Sequence, residues 1–74
     1  MVKNFEITNN IRKLRFFADE MTQQLLAEKT GVSRQTINAI EAGKYSPTLE
    51  LAFRIAMAFN LKISDVFDYE LKGE

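Results

Sequence analysis

The chain has 74 residues, of which 46% are hydrophobic, and a chain this short forms one thin core. It contains no cysteine and no histidine, which excludes disulfides, thiolate metal sites and the commonest general base. Ten basic and ten acidic residues give a formal net charge of zero, so the overall charge favours no polyanionic partner.

The first predicted helix runs from about Thr8 to Ala18, with Thr8 or Asn9 as its cap. Apolar residues recur there at the 4-3-4 spacing of one helical face, namely at Ile7, Ile11, Leu14 and Ala18. Just before it, Phe5 and Ile7 alternate with polar residues, a pattern typical of a strand.

The second and third predicted helices share one design. Thr22 caps the second helix and Gly31 ends it, while Ser33 caps the third and Gly43 ends it. An apolar residue before each cap and another four residues after it have the spacing of a hydrophobic staple. Only three residues separate the two helices, which is typical of a helix-turn-helix unit, here at about residues 22–43.

The fourth predicted helix starts after Pro47, is capped by Thr48 and ends near Asn60. Its expected buried residues are Leu49, Ala52, Ile55, Ala56 and Phe59. A fifth helix of about one turn is capped by Ser64 and holds Val66 and Phe67.

Beyond the fifth helix, apolar residues alternate with charged ones from Phe67 to Leu71, which again predicts a strand. An isolated two-stranded ribbon is marginal, but packed on a helical core the two termini can pair. The predicted fold is therefore all-α, with five helices and a short antiparallel β-ribbon formed by the two termini.

The third helix carries an unusual solvent face. Ile37 and Ile40 define its inward direction, and its outward and flanking positions hold no acidic residue. They hold instead the side chains that read base edges in DNA, with small alanines between them. These residues are Arg34, Gln35, Thr36, Asn38, Ala39 and Ala42. On composition alone, a merely solvated face is an equally good interpretation.

The central part of the chain resembles the Cro/phage-repressor (XRE) type of helix-turn-helix. The resemblance lies in the run TQQLLAEKTGVSRQTINAIEAGKYSPTLELAFRIAMAF. The family pattern T-Q-x-x-L-A-x-x-x-G-V-S-x-x-x-I-x-x-I-E-x-G matches at every fixed position from Thr22 to Gly43. The match continues from Pro47 to Ala56, so it covers most of the chain.

The resemblance implies a DNA-binding role for particular residues. Gln23 is expected to contact the DNA backbone and brace the third helix. Base reading is expected of Arg34, Gln35, Thr36, Asn38 and Ala39. Further phosphate contacts are expected of Lys44, Tyr45 and Ser46.

The charge is unevenly distributed along the chain. The acidic excess lies in residues 47–74, where the net charge is −2, so that end is expected to face away from DNA.

Glu41 lies toward the buried side of the third helix, where a lone carboxylate is costly. In the family this residue pairs with an arginine of the first helix, and Arg15 is the matching position. We interpret the pair as structural and not catalytic.

The connection between the first two helices departs from the family pattern. It is one residue longer than usual and lacks a common glycine, which weakens the Arg15 assignment. Phe16 and Phe17 replace charged residues, and Leu25 replaces a common glutamate. Phe16 and Leu25 either pack locally, which we favour, or form an exposed patch for a partner.

We therefore expect a sequence-specific transcriptional regulator of double-stranded DNA, a repressor that binds a palindromic operator as a homodimer in a prokaryotic cytoplasm. One domain spans residues 1–74, with no enzyme activity, cofactor, metal, membrane segment or small-molecule ligand expected. The expected dimer interface is Ile63, Val66 and Phe67, although Phe67 serves the core about as well. The alternatives are an antitoxin-like protein that binds DNA and a partner protein, and an adaptor without DNA affinity.

Overall fold

A computed structural model describes residues 5–71. The elements follow one another along the chain as β1 (Phe5–Asn9), α1 (Ile11–Phe17), α2 (Gln23–Thr30), α3 (Arg34–Glu41), α4 (Leu49–Ala58), α5 (Ile63–Val66) and β2 (Phe67–Leu71). The predicted architecture of five helices and a terminal ribbon is confirmed.

The caps of the three central helices are those that the sequence predicts. The side-chain oxygens of Thr22, Ser33 and Thr48 accept hydrogen bonds from the backbone N–H groups three residues further on, at 3.0, 3.1 and 3.1 Å. Each bond satisfies a donor that the first helical turn leaves unpaired. Gly31 ends α2 in the left-handed conformation, with φ of 77°, which lets the chain turn directly into α3.

Helix α1 begins at Ile11 and not near Thr8, so that prediction is wrong. Thr8 and Asn9 belong to β1, where pairing with β2 replaces the helical hydrogen bonds. The Asn9 side chain is still used at the helix start, because its carbonyl oxygen accepts from the Ile11 N–H at 3.0 Å. Its amide nitrogen donates to the Ile40 carbonyl at 2.9 Å, which ties the start of α1 to α3.

Helix α5 also differs from its prediction. It begins at Ile63, so Lys62 and not Ser64 is the capping residue, and the Asp65 carboxylate accepts from the Lys62 N–H at 3.0 Å. The helix stops at Val66 because Phe67 is already extended and pairs with Asn9.

The ribbon is antiparallel, as predicted, with Phe5 opposite Leu71 and Ile7 opposite Tyr69. Since paired residues share a face, these four apolar side chains lie together, and the rings of Phe5 and Tyr69 stack at 4.8 Å. All four are exposed. The other face carries Glu6, Thr8, Asp68 and Glu70.

The core lies between the helices, and α5 contributes Val66 to it. Its fully buried large side chains come from four helices: Ile11, Leu26, Ile37, Ile40 and Ile55. Ile37 and Ile40 hold the inner side of α3 in this core, and the opposite side of that helix is thereby turned toward solvent.

Candidate nucleic-acid interface

Helix α3 presents the surface expected of a recognition helix. Arg34, Gln35 and Asn38 are exposed, whereas Thr36 and Ala39 are half-buried. The Thr36 hydroxyl lies 3.0 Å from the Ser33 hydroxyl, so it takes part in the cap of the helix. Of the five predicted base-reading residues, three are therefore exposed and two are half-buried.

Gln23 joins α2 to α3 at this surface. Its side-chain amide nitrogen donates to Oδ1 of the Asn38 side chain at 3.3 Å and to a Glu41 carboxylate oxygen at 3.1 Å. Asn38 is thus held by a residue of the preceding helix. The arrangement fits the bracing role that the resemblance implies for Gln23.

Arg15 and Glu41 form a bidentate pair beneath α3. Arg15 Nε lies 2.6 Å from Glu41 Oε2, and its terminal nitrogen donates to Oε1 at 3.0 Å. The two side chains are only 16% and 8% exposed, so the one acidic charge of α3 is neutralised and largely shielded.

The longer α1–α2 connection does not displace this pair. Its extra length is absorbed at Asp19 and Glu20, which both take positive φ, 62° and 56°, in the absence of a glycine. Arg15 holds the connection on both sides: its guanidinium donates to the Met21 carbonyl at 2.8 Å, and its own carbonyl accepts from the Met21 N–H at 2.9 Å.

Lys44, Tyr45 and Ser46 follow α3 and are exposed, as contacts to phosphate require. Gly43 takes a φ of 75°, and the Lys44 N–H donates to the Ala39 carbonyl at 2.9 Å. This segment is therefore fixed to the end of α3.

The residues expected at a dimer interface differ in their exposure. Ile63 and Phe67 are half-buried and keep some free surface. Val66 is 2% exposed and packs in the core of the protomer. Its assignment to the interface is therefore corrected, because its side chain has no surface left for a partner.

Other apolar residues are more exposed than the sequence pattern predicts. Phe16 packs locally, edge-on against Phe17, but it remains 62% exposed, and Leu25 is 42% exposed, so the core covers neither side chain. Leu49 was expected in the core but is 69% exposed. It starts an apolar stripe along α4 that continues through Phe53 and Met57, a four-residue spacing already visible in the sequence.

The contact between Asn9 and α3 was not predicted from the sequence. The bond from Asn9 to the Ile40 carbonyl joins positions 31 residues apart, and no local pattern indicates such a contact. Within residues 5–71, no three metal-ligating side chains come together, and no helix is long and apolar enough to cross a membrane.

The capped α2–α3 pair, with its base-reading composition and buried ion pair, defines a helix-turn-helix protein. Known proteins agree with this class. Residues 11–66 match the family model described as Helix-turn-helix. An uncharacterized HTH-type transcriptional regulator of Methanocaldococcus jannaschii is 57% identical over 60 residues, which cover 78% of this chain and 91% of that protein.

Two further relatives carry the same description. One from Archaeoglobus fulgidus is 53% identical over 57 residues, covering 73% of this chain and 81% of its own length. YgzD of Bacillus subtilis is 52% identical over 46 residues, covering 62% of this chain and 70% of its own. The chain therefore belongs to the helix-turn-helix family of the Cro/phage-repressor type and is a transcriptional regulator with a helix-turn-helix DNA-binding domain.

Proposed function

We propose that the protein is a repressor in the prokaryotic cytoplasm and that it binds a palindromic operator as a homodimer, residues 1–74 forming one DNA-binding unit. Occupation of the operator blocks access of polymerase to the promoter. The observation that carries the proposal is the outward arc of α3, where Arg34, Gln35 and Asn38 are exposed and the one carboxylate of the helix, Glu41, is paired with Arg15.

Base reading follows from the chemistry of these side chains. A guanidinium pairs with the two acceptors of guanine, and a carboxamide pairs with the acceptor and donor of adenine in the major groove. Ala39 and Ala42 add no bulk, so the helix backbone can approach the bases closely. Gln23 holds Asn38 at 3.3 Å, which reduces the rotamer freedom that binding would otherwise remove.

Phosphate contacts position the helix in the groove. Lys44, Tyr45 and Ser46 follow α3 on an exposed segment, and Gln23 stands at the start of α2. The first N–H groups of α2 also favour an anion. These groups give a chain of zero net charge a local surface for DNA.

The apolar face of the ribbon supports the homodimer. A two-stranded ribbon is marginal by itself, and this one leaves Phe5, Ile7, Tyr69 and Leu71 uncovered without a charge among them. A second copy related by a two-fold axis covers this face with an identical one. Phe67 is in the same strand, so the proposed interface extends the one expected at Ile63 and Phe67.

The α4 stripe supports a second candidate function. Leu49, Phe53 and Met57 form an exposed apolar surface apart from the ribbon, and such a surface suits a partner protein. In this alternative, the chain is an antitoxin-like regulator that binds DNA through α3 and its partner through α4.

The proposed function is tested by two substitutions in the DNA surface. Gln35→Ala is expected to cost about 1–3 kcal/mol on the preferred operator and to relax base preference, because one bidentate base contact is lost. Lys44→Ala is expected to weaken all duplexes alike and to lower the slope of log K against log salt by about 0.9. Fluorescence anisotropy with operator and scrambled duplexes separates the two effects. Unchanged affinity and preference in Gln35→Ala would rule out α3 as the reader.

A further inference from the structure

A hollow opens beside the recognition helix, between α1, α2 and α3. It has a volume of about 380 Å³ and is lined by Arg12, Arg15, Gln23, Asn38, Glu41 and Ala42. Asn38 and Gln23 belong to the proposed DNA surface, so this hollow extends that surface onto α1. Arg12 is its outer cation, and nothing in the sequence pattern singles that residue out.

The two arginines of the hollow differ in their partners. The Arg15 guanidinium is paired with the Glu41 carboxylate, which balances its charge, and it also donates to the Met21 carbonyl. The Arg12 side chain is exposed, and its guanidinium forms no ion pair or hydrogen bond within residues 5–71. Since Arg15 already neutralises Glu41, Arg12 leaves the hollow with uncompensated positive charge.

Arg12 also borders a second hollow, which is lined by Lys13 and Phe16 among others and lies on the α1 side. The arginine therefore lines two concave surfaces, and its guanidinium offers five hydrogen-bond donors there. A guanidinium of this kind suits the oxygens of a backbone phosphate, which it binds in a bidentate manner.

We propose that Arg12 binds a phosphate of the DNA backbone at the edge of the groove that α3 enters. The inference rests on the proposed DNA binding and adds to it a contact from outside the α2–α3 unit. The contact is independent of base sequence, because phosphate is the same at every step of the duplex. It places α1 against the DNA backbone and fixes the tilt of α3 in the groove.

The test uses the full chain and a random-sequence duplex of about 20 base pairs, with binding measured by anisotropy at several salt concentrations. Arg12→Gln is expected to lower the slope of log K against log salt by about 0.9 and to weaken binding about tenfold at low salt. Arg12→Lys is expected to restore the slope because it restores the charge. Lys29→Gln, which removes an equal charge at the far end of α2, is the matched control and is expected to keep the slope.

An unchanged slope in Arg12→Gln would overturn the inference, and so would an equal fall in Lys29→Gln, which would mean a diffuse charge effect. Both results presuppose that the unaltered protein binds the duplex. If it binds neither this duplex nor an operator, the proposed function itself fails. Circular dichroism of each variant verifies that the helices are intact.

Discussion

Replacing Glu41 with alanine is expected to lower the free energy of unfolding by about 3 kcal/mol, the lower end for breaking a buried ion pair. The substitution removes the two carboxylate acceptors of the Arg15 guanidinium, at 2.6 and 3.0 Å, and leaves a charge that is only 16% exposed without its ionic partner. It also removes the acceptor that holds Gln23 at 3.1 Å. A small domain has only about 5–15 kcal/mol in total, so this loss is a large fraction of its stability.

Glu50→Ala is the matched control for this prediction. It breaks the other arginine–glutamate pair, Arg54–Glu50 at 2.7 Å, which lies on the surface of α4 with both side chains more than half exposed. A surface pair spaced by four residues contributes less than about 0.5 kcal/mol. Urea denaturation followed by circular dichroism gives both values. Equal losses in the two variants would contradict a structural role for the Arg15–Glu41 pair.

Tyr69→Glu is expected to yield a folded monomer whose operator affinity is lower by about 10²–10⁴-fold, the gain that joining two binding modules provides. Tyr69 is 64% exposed at the centre of the apolar ribbon face. In a dimer it would be covered, and a glutamate there would have to bury its charge in an apolar contact. Sedimentation measures the oligomeric state, and anisotropy with a palindromic duplex measures affinity.

Met57→Glu controls for the added negative charge. Met57 is 71% exposed on the α4 stripe, so the substitution changes an equally open apolar site outside the ribbon. The proposed interface requires this variant to remain dimeric and to keep its operator affinity. A monomeric Met57→Glu beside a dimeric Tyr69→Glu would move the interface to α4 and leave the ribbon without a role in assembly.

The central helices could be predicted from the sequence because their signals are local. A threonine or serine cap and a glycine in the left-handed conformation act within one helical turn, and Thr22, Ser33 and Gly31 do what their residue types favour. The outward direction of α3 followed from Ile37 and Ile40 in the same way, since both are buried.

The ends of the fold could not be predicted this way, because long-range pairing competes there with local propensity. Thr8 is a good helix cap, yet it lies opposite Asp68 in the ribbon. Helix α1 therefore begins at Ile11, whose N–H donates to the Asn9 side chain. Leu49 fits the apolar face of a helix by its spacing. Periodicity does not tell which part of a wide apolar face the core covers, and Leu49 is exposed to solvent.

In the candidate site too, some residues could be predicted from the sequence and others could not. The residues proposed to read bases were suggested by the composition of α3, and the Arg15–Glu41 pair was expected from the family resemblance and is present despite the longer loop. Arg12 gave no signal, since one cation on a predicted helix is ordinary. Only the packing of α1 against α2 and α3 brings it to the hollow beside Asn38.

The measurement that tests the central claim most directly is selection from a pool of random duplexes by the purified protein, with sequencing of the bound fraction. The account predicts an enriched motif of two inverted half-sites whose centres lie about 10 base pairs apart, one turn of the duplex. It also predicts that Gln35→Ala loses the preference at one position of each half-site, because a single side chain reads it. A bound fraction with no enrichment over the input pool, or with a motif that Gln35→Ala leaves unchanged, would contradict sequence recognition by α3.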